Sequence, residues 1–202
     1  TKVESADTSF AFCINPNDLA KVLKSLVEEV VTFAIEGNLL RISHIKGTIE
    51  MPIVQSDAFP QAQEVSEGTS LTLNADKVKE WLSIATNFVA NDELRPVMTG
   101  MYIYGKDGRM GVCATDAHKL FTDSIESDCE EFGVIIPSSA FRPLKDMLGT
   151  NGVSVVIDTK NISFTTSDSA LHCRLIEGNY PNFKAVIPQN NPYKVTIDRQ
   201  LM

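Results

Sequence analysis

The chain has 202 residues, 43% of them hydrophobic and 22% charged, and a formal net charge of -8. That composition belongs to a globular protein with a real core, and the length suits one large domain or one domain with part of another. The acidic total argues against a body coated in basic charge for nucleic acid, but leaves room for a local basic strip. No apolar run approaches the length of a membrane span, and no signal peptide opens the chain. Cys13, Cys113, Cys129 and Cys173 form no CxxC pair and match no zinc spacing. Three of them sit in strand-like apolar stretches, which predicts reduced, buried thiols and a cytosolic compartment. The chain opens at Thr1 without a methionine and stops at Met202 in what looks like the start of a helix. Both ends are therefore expected to be cut, making the chain an interior fragment of a longer protein.

Ser9–Ile14 alternates like a strand. Pro16 then opens a helix with Asn15 as N-cap and Leu19, Val22, Leu23 and Leu26 on one face. Strands follow near Val30–Ile35, Leu39–Ser43 and Thr48–Val54, with a turn at Glu36-Gly37-Asn38 between the first two. An irregular segment, Ala58-Phe59-Pro60-Gln61, leads to a polar stretch at Glu64–Gly68. The pattern then returns. Ser70–Leu73 is a strand, and Asn74 or Asp76 caps a helix carrying Val78, Trp81, Leu82, Ile84 and Ala85.

Arg95 to Leu120 follows. Strands are predicted at Met101–Tyr104 and Met110–Ala114, joined through Gly105-Lys106-Asp107-Gly108. A second turn, Thr115-Asp116-Ala117-His118, reverses into a strand running to Ile125. One more copy has strand Phe132–Ile136, a short helix with Ala140, Phe141, Leu144, Met147 and Leu148, and strands near Val153–Ile157, Ile162–Thr166 and Ala170–Ile176. Asn179-Tyr180-Pro181-Asn182-Phe183 closes that unit, and Lys194-Val195-Thr196-Ile197 begins a fourth.

The chain is thus a repeat of strand, helix and three strands with a period of about 61 residues, and the match is closer at about 121 residues. At the longer spacing INPNDLAKVLKSL aligns with IIPSSAFRPLKDML, and VTFAIEGNLLRIS with VSVVIDTKNISFT. Three antiparallel strands leave one sheet face to cover, and one helix covers part of it. Two half-units therefore pair, helix beside helix, in an α+β domain with helices on one side and antiparallel sheets on the other.

The three helices carry Lys21, Lys24, Lys77, Lys79, Arg142 and Lys145 against Asp18, Asp76, Glu80 and Asp146. They are mildly basic on an acidic body, a surface that either faces solvent or tolerates a phosphate backbone without reading bases. No aromatic-basic interleaving of the single-strand type is evident. Asp116 and His118 are the one acid–imidazole pair close in sequence that suggests general-base chemistry of hydrolase type. No P-loop, GxSxG, HExxH or metal-spaced carboxylate cluster accompanies them. The plainer expectation is a turn in which Asp116 accepts backbone N–H bonds. Met98, Leu120 and the Tyr180-Pro181 region would frame an apolar pocket beside it, suited to a short peptide.

These residues carry a resemblance. Glu93-Leu94-Arg95 with Gly100-Met101, the turn Ala114-Thr115-Asp116-Ala117-His118-Lys119-Leu120, Val134-Ile135-Ile136-Pro137, and Leu175–Phe183 followed by Val186-Ile187-Pro188 resemble the bacterial sliding clamp family, the beta subunit of DNA polymerase III. The resemblance implies the DNA-clamp fold. Residues 1–68 would be the later half of a first clamp domain, 69–190 a complete second domain, and 191–202 the start of a third. It further implies a non-catalytic processivity factor without cofactor or metal. The full-length protein would be a homodimeric ring around double-stranded DNA, holding the polymerase catalytic subunit, the clamp loader and other proteins with a clamp-binding motif.

Carried over, the peptide groove comprises Met98, Thr115, Ala117, His118, Lys119, Leu120, Pro181 and Val186, and the DNA-facing residues are the six basic residues of the helices. The chain departs from the family pattern in places. Ala117 stands where many members have glycine, so a turn needing positive φ would be strained. Lys119 replaces a frequent arginine and loses its planar fork of donors. Ala185 stands where some members place an arginine, Pro96-Val97 replaces a tyrosine pair, and Ser138-Ser139 replaces basic residues. Weaker DNA contact through this domain is expected, and the fragment alone is not expected to close a ring.

Overall fold

The computed structural model describes residues 10–26, 30–60, 65, 68–92, 94–198 and 200. Ser9, Gln61, most of the polar stretch at 64–68, Glu93 and the helix start expected after Asp198, apart from Gln200, lie outside the described residues. The chain divides into two compact units, Thr1–Ala62 and Gln63–Met202.

In the first unit, β1 (Phe12–Cys13) precedes α1 (Pro16–Ser25). The Asn15 side chain accepts the Asn17 N–H at 3.0 Å, and Pro16 occupies the first turn, where no N–H is needed. β2 (Thr32–Glu36), β3 (Leu39–His44) and β4 (Gly47–Pro52) form an antiparallel meander, and β5 (Val54–Gln55) pairs with β1. The core is small: Leu40, Ile42, Met51 and Ile53, with Leu19, Val22 and Leu26 packed against it. No residue of α1 is fully buried. One helix on three strands covers too little surface to enclose its apolar face.

The second unit holds the larger core. β6 (Thr69–Leu73) leads into α2 (Ala75–Ala85), then β7 (Gly100–Lys106), β8 (Arg109–Thr115) and β9 (Leu120–Glu126). The copy that follows is β10 (Phe132–Pro137), a 3-10 turn at Ser138–Ala140, α3 (Phe141–Met147), β11 (Val153–Ile157), β12 (Asn161–Thr165) and β13 (Ala170–Arg174). Asn74 is the cap of α2, its side chain accepting the Lys77 N–H at 3.0 Å. Asp76 instead lies in the first turn, where its charge suits the helix dipole.

The sheets differ from the three-stranded expectation. Their orders are β10-β7-β8-β9 and β13-β12-β11-β6, so each half-unit lends its leading strand to the other's meander. That exchange satisfies one open edge of each meander and ties the halves together. α2 packs beside α3, and Trp81, Leu82, Phe141 and Leu144 join Met101, Val112, Val155 and Phe164 in one core.

The β7–β8 loop is also tighter than expected. It is the two-residue turn Asp107-Gly108, with φ of 55° and 69°, and the strands run on to pair Lys106 with Arg109. Two positive φ values match the right-handed twist of the flanking strands. The strand expected at Lys194–Ile197 is not formed. Tyr193, Val195 and Ile197 are exposed there, and no described strand edge pairs with them. A strand exists only against a hydrogen-bonding partner.

Asp123 on β9 fastens α2 to its sheet. It accepts the Trp81 indole N–H at 2.8 Å and pairs with the Lys77 ammonium at 2.7 Å. Lys77 first and Trp81 second hold its carboxyl below the ordinary range. A depressed folded-state value means stability present above the unfolded carboxyl's pKa and lost as pH falls through the folded one. Asp123→Asn is therefore expected to lower stability at pH 7 and to flatten the acid limb of the melting temperature as pH falls below about 5. Melting curves across that range check it. An unaltered acid limb would assign the pH dependence to other carboxylates.

Candidate functional site

The candidate site draws on three segments: the β8–β9 turn and the Pro96–Met98 turn, tied together by Arg95, and a segment that passes Val97 at Gly178 and then runs over Tyr102 and Tyr104 from Tyr180 to Lys184. The β8–β9 turn is built from its own side chains. The Thr115 hydroxyl donates to the Lys119 carbonyl at 2.7 Å and accepts the Ala117 N–H at 3.1 Å. One Asp116 carboxylate oxygen accepts the N–H groups of His118 and Lys119 at 3.0 and 2.9 Å. The Lys119 ammonium lies 3.5 Å from the other carboxylate oxygen and 5.8 Å from the Phe88 ring centroid. The backbone bonds from Lys119 and His118 hold the Asp116 carboxyl below the usual range. Thr115 is buried, Leu120 half-buried, and Ala117, His118 and Lys119 are exposed.

Ala117 has φ of 76°, the left-handed conformation that glycine adopts without steric cost. Ala117→Gly should relieve about 1 kcal/mol of strain and lose about 0.5 kcal/mol or more to the greater freedom of the unfolded chain. A small net stabilisation, up to about 0.5 kcal/mol, is the expected result. Urea unfolding with an unchanged slope measures it. A destabilised variant would show that neighbouring contacts hold the Ala117 methyl favourably.

The second segment is the 3-10 turn Pro96–Met98, whose last residue, Met98, is half-buried. Its carbonyl accepts the Ala90 N–H at 2.9 Å. Arg95, which precedes it, joins it to the turn: one guanidinium N–H donates to the Asp116 carbonyl at 3.3 Å, and another to the Asp92 carboxylate at 3.3 Å. The third segment runs from Gly178 to Val186 and ends in a 3-10 turn at Phe183–Val186. A Cβ on Gly178 would stand 2.8 Å from Val97. Tyr180 lies beside the Cys113 thiol and the Thr115 backbone. Pro181 is half-buried, and Val186 is 69% exposed at the end of its turn.

The geometry gives Asp116 and His118 no shared chemistry. Asp116 is occupied by backbone N–H groups and Lys119, and the His118 imidazole makes no hydrogen bond to it. Among the described residues no cluster of three His, Cys, Asp or Glu side chains could hold a metal. No described helix is long and apolar enough to cross a membrane. Cys13, Cys113 and Cys173 do lie in strands, but of the three only Cys113 is buried, its thiol pushed up to about 12 by burial, while Cys13 and Cys173 are half-buried because they lie on short or edge strands.

The six basic helix residues are not equivalent. Lys77 is committed to Glu80 and Asp123, and Lys79 donates to the Gly149 carbonyl at 2.8 Å. Lys21 and Arg142 have loose intrahelical pairs with Asp18 and Asp146 at 3.5 and 3.8 Å. Lys24 and Lys145 are exposed, with no carboxylate partner among the described residues. Two residues fall outside the expected site: Arg95, which ties two segments and whose sequence signal is Glu93-Leu94-Arg95, and Tyr102, whose signal is its alternation with Met101 and Ile103.

A family model described as the DNA polymerase III beta subunit, central domain, matches residues 72–182. The chain is 29% identical over 210 residues to the beta sliding clamp of Synechocystis, covering 90% of this chain and 54% of the relative. It is 26% identical over 183 residues to that of Streptococcus pneumoniae, covering 88% and 48%. The crystal structure of the S. pneumoniae DNA polymerase III beta chain superposes with a TM-score of 0.84 at 25% identity, over 91% of this chain and 50% of that one. The chain spans about half the length of the curated relatives it matches.

Proposed function

The chain belongs to the DNA polymerase III beta subunit family, and from that membership we propose that it is part of a processivity clamp working in the cytoplasm. In this reading residues 69–190 are a complete clamp domain, 1–68 the later half of a preceding one, and 191–202 the opening of a third. The full-length protein forms a homodimeric ring that encircles double-stranded DNA without reading its sequence. It performs no chemistry of its own and needs no cofactor.

Its partners are the polymerase catalytic subunit, the clamp loader and other proteins bearing a clamp-binding motif. They dock through one peptide groove formed by Met98, Thr115, Ala117, His118, Lys119, Leu120, Pro181 and Val186. The observation that carries this reading is the Thr115–Leu120 turn. It is locked by its own hydroxyl and carboxylate, and it presents exposed polar groups beside half-buried Leu120. A rigid polar rim around an apolar floor fits an extended peptide with an aliphatic or aromatic anchor.

DNA contact falls to Lys24 and Lys145 first, then to Lys21 and Arg142, whose pairs are loose, ahead of Lys77 and Lys79, which are held at 2.7–2.8 Å. An ammonium held by two carboxylates, as Lys77 is, releases few counterions from DNA. The test of the groove is fluorescence anisotropy with a short QLxLF-like peptide. Micromolar binding supports the reading, and a peptide that fails to bind this chain and the full-length protein alike sinks it.

A further inference from the structure

We propose that Tyr102, which lies outside the groove, is a positioning residue that sets the groove's Pro181 wall by stacking on Tyr180. The proposal rests on the peptide-groove reading. Met101 and Ile103 point into the core, so Tyr102 and Tyr104 stand on the opposite face of the sheet. Their cross-strand partners there are Cys113 and Gly111. Such a face is ordinarily solvated, yet Cys113 is fully buried.

An aromatic ladder provides the cover. Tyr180 stacks on Tyr102 at 4.9 Å and 7°, Tyr102 on Tyr104 at 5.5 Å and 21°, and Phe183 tilts against Tyr104 at 5.8 Å. Two glycines make room for it. A Cβ on Gly133 would stand 2.3 Å from the Tyr102 hydroxyl oxygen, and one on Gly111 2.4 Å from that of Tyr104.

Polar bonding holds Tyr180 weakly: its buried hydroxyl lies against the Cys113 thiol and the Thr115 backbone without a well-formed hydrogen bond. The Ile176 N–H reaches the Ile135 carbonyl at 2.9 Å, but from there to Phe183 no backbone hydrogen bond ties the described segment to the sheet. The stack on Tyr102, at 4.9 Å, is the closest ring contact of the segment, ahead of Phe183 on Tyr104 at 5.8 Å, and Pro181 follows Tyr180 directly in the chain. Tyr102 therefore helps set the spacing between Pro181 and Thr115, and a binding site is only as well defined as the residues that support it.

The test measures two quantities on the 202-residue chain with Cys13, Cys129 and Cys173 changed to serine. One is affinity for the fluorescent QLxLF-like peptide, and the other is the rate at which a thiol reagent labels Cys113. Tyr102→Ala is expected to weaken the peptide about tenfold, equivalent to about 1.4 kcal/mol, and to speed labelling. Tyr102→Phe keeps the ring and should leave both near the parent values.

Gly133→Ala should reproduce the Tyr102→Ala effects with every ring still present. Combining it with Tyr102→Phe should restore both in large part, because the nearest remaining ring atom is then 3.0 Å from the new methyl, a contact that a shift of a few tenths of an ångström relieves. Faster labelling with unchanged peptide affinity would overturn the proposal, as would Tyr102→Phe behaving like Tyr102→Ala. Parent binding that Leu120→Asp removes but Tyr102→Ala leaves intact overturns this inference alone. A parent chain that binds no peptide overturns the groove reading and this inference together.

Discussion

Leu120→Asp is expected to weaken binding of a QLxLF-like peptide by at least about 100-fold, or about 2.7 kcal/mol. Leu120 is the first residue of β9, pairs with Thr115 across the turn and is half-buried. It is the one large apolar side chain among the six turn residues 115–120. An aspartate there puts a carboxylate where the partner's apolar anchor would sit, and burying that charge without a partner is costly. It also places a second acid near Asp116, whose carboxylate already orders the turn.

The fold should tolerate the change, since position 120 lies at a strand end and is partly open to solvent. The controls are an unchanged circular dichroism spectrum and a melting temperature within a few degrees. His118→Ala should cost much less, about two- to fivefold, because that side chain is exposed at the rim. If Leu120→Asp binds as tightly as the parent chain, the anchor lies elsewhere and the carried-over groove is wrong.

Trp81→Ala is expected to destabilise the second unit by about 4 kcal/mol, the middle of the range for removing a buried aromatic. Trp81 is 1% exposed and belongs to a core shared by both sheets and both helices of that unit. Its loss opens a cavity between α2 and the sheets. It also removes the indole N–H from Asp123, leaving that carboxylate to Lys77 and the Ser124 N–H. For a unit of this size the melting temperature should fall by about 10 °C or more.

Trp81→Phe separates the two contributions. It keeps most of the apolar volume and loses the hydrogen bond, so a cost of about 1–2 kcal/mol is expected. Equal destabilisation by both variants would show that the indole N–H bond, rather than core filling, dominates. Loss of peptide binding by Trp81→Phe at full foldedness would show α2 acting on the groove, which nothing in its contacts predicts.

Much of this chain is legible one residue at a time. Period-two alternation locates the strands of both half-units, and Asn15-Pro16 and the pair Asn74 and Asp76 mark helix starts by side-chain chemistry that acts within three residues, Asn74 proving to be the cap. Asp116 capping its own turn follows from the residue types, and the positive φ at Ala117 from the resemblance to a family pattern with glycine at that position. The repeat was visible because the same strand–helix–meander order recurs at a fixed spacing.

Other features depended on which segments meet. The exchange of β6 and β10 between half-units leaves no local mark, since a leading strand looks the same whichever meander receives it. The pairing of Lys77 with Asp123 is not legible among the six basic helix residues, because Asp123 is far from it in sequence. Nothing local marks Tyr102 off from its strand neighbours; its role depends on Tyr180, 78 positions away in the sequence, stacking against it. The Lys194–Ile197 pattern alternates like a strand but has no described edge to pair with, so it does not become one.

The sequence by itself thus determined the elements, their order, the repeat and the self-capped turn, because each rests on interactions between near neighbours in the chain. Tertiary structure alone decided strand exchange, the pairing of the helix lysines and the aromatic support behind Pro181. Those depend on contacts between residues far apart in sequence, whose energies exist only once the sheets and helices have packed.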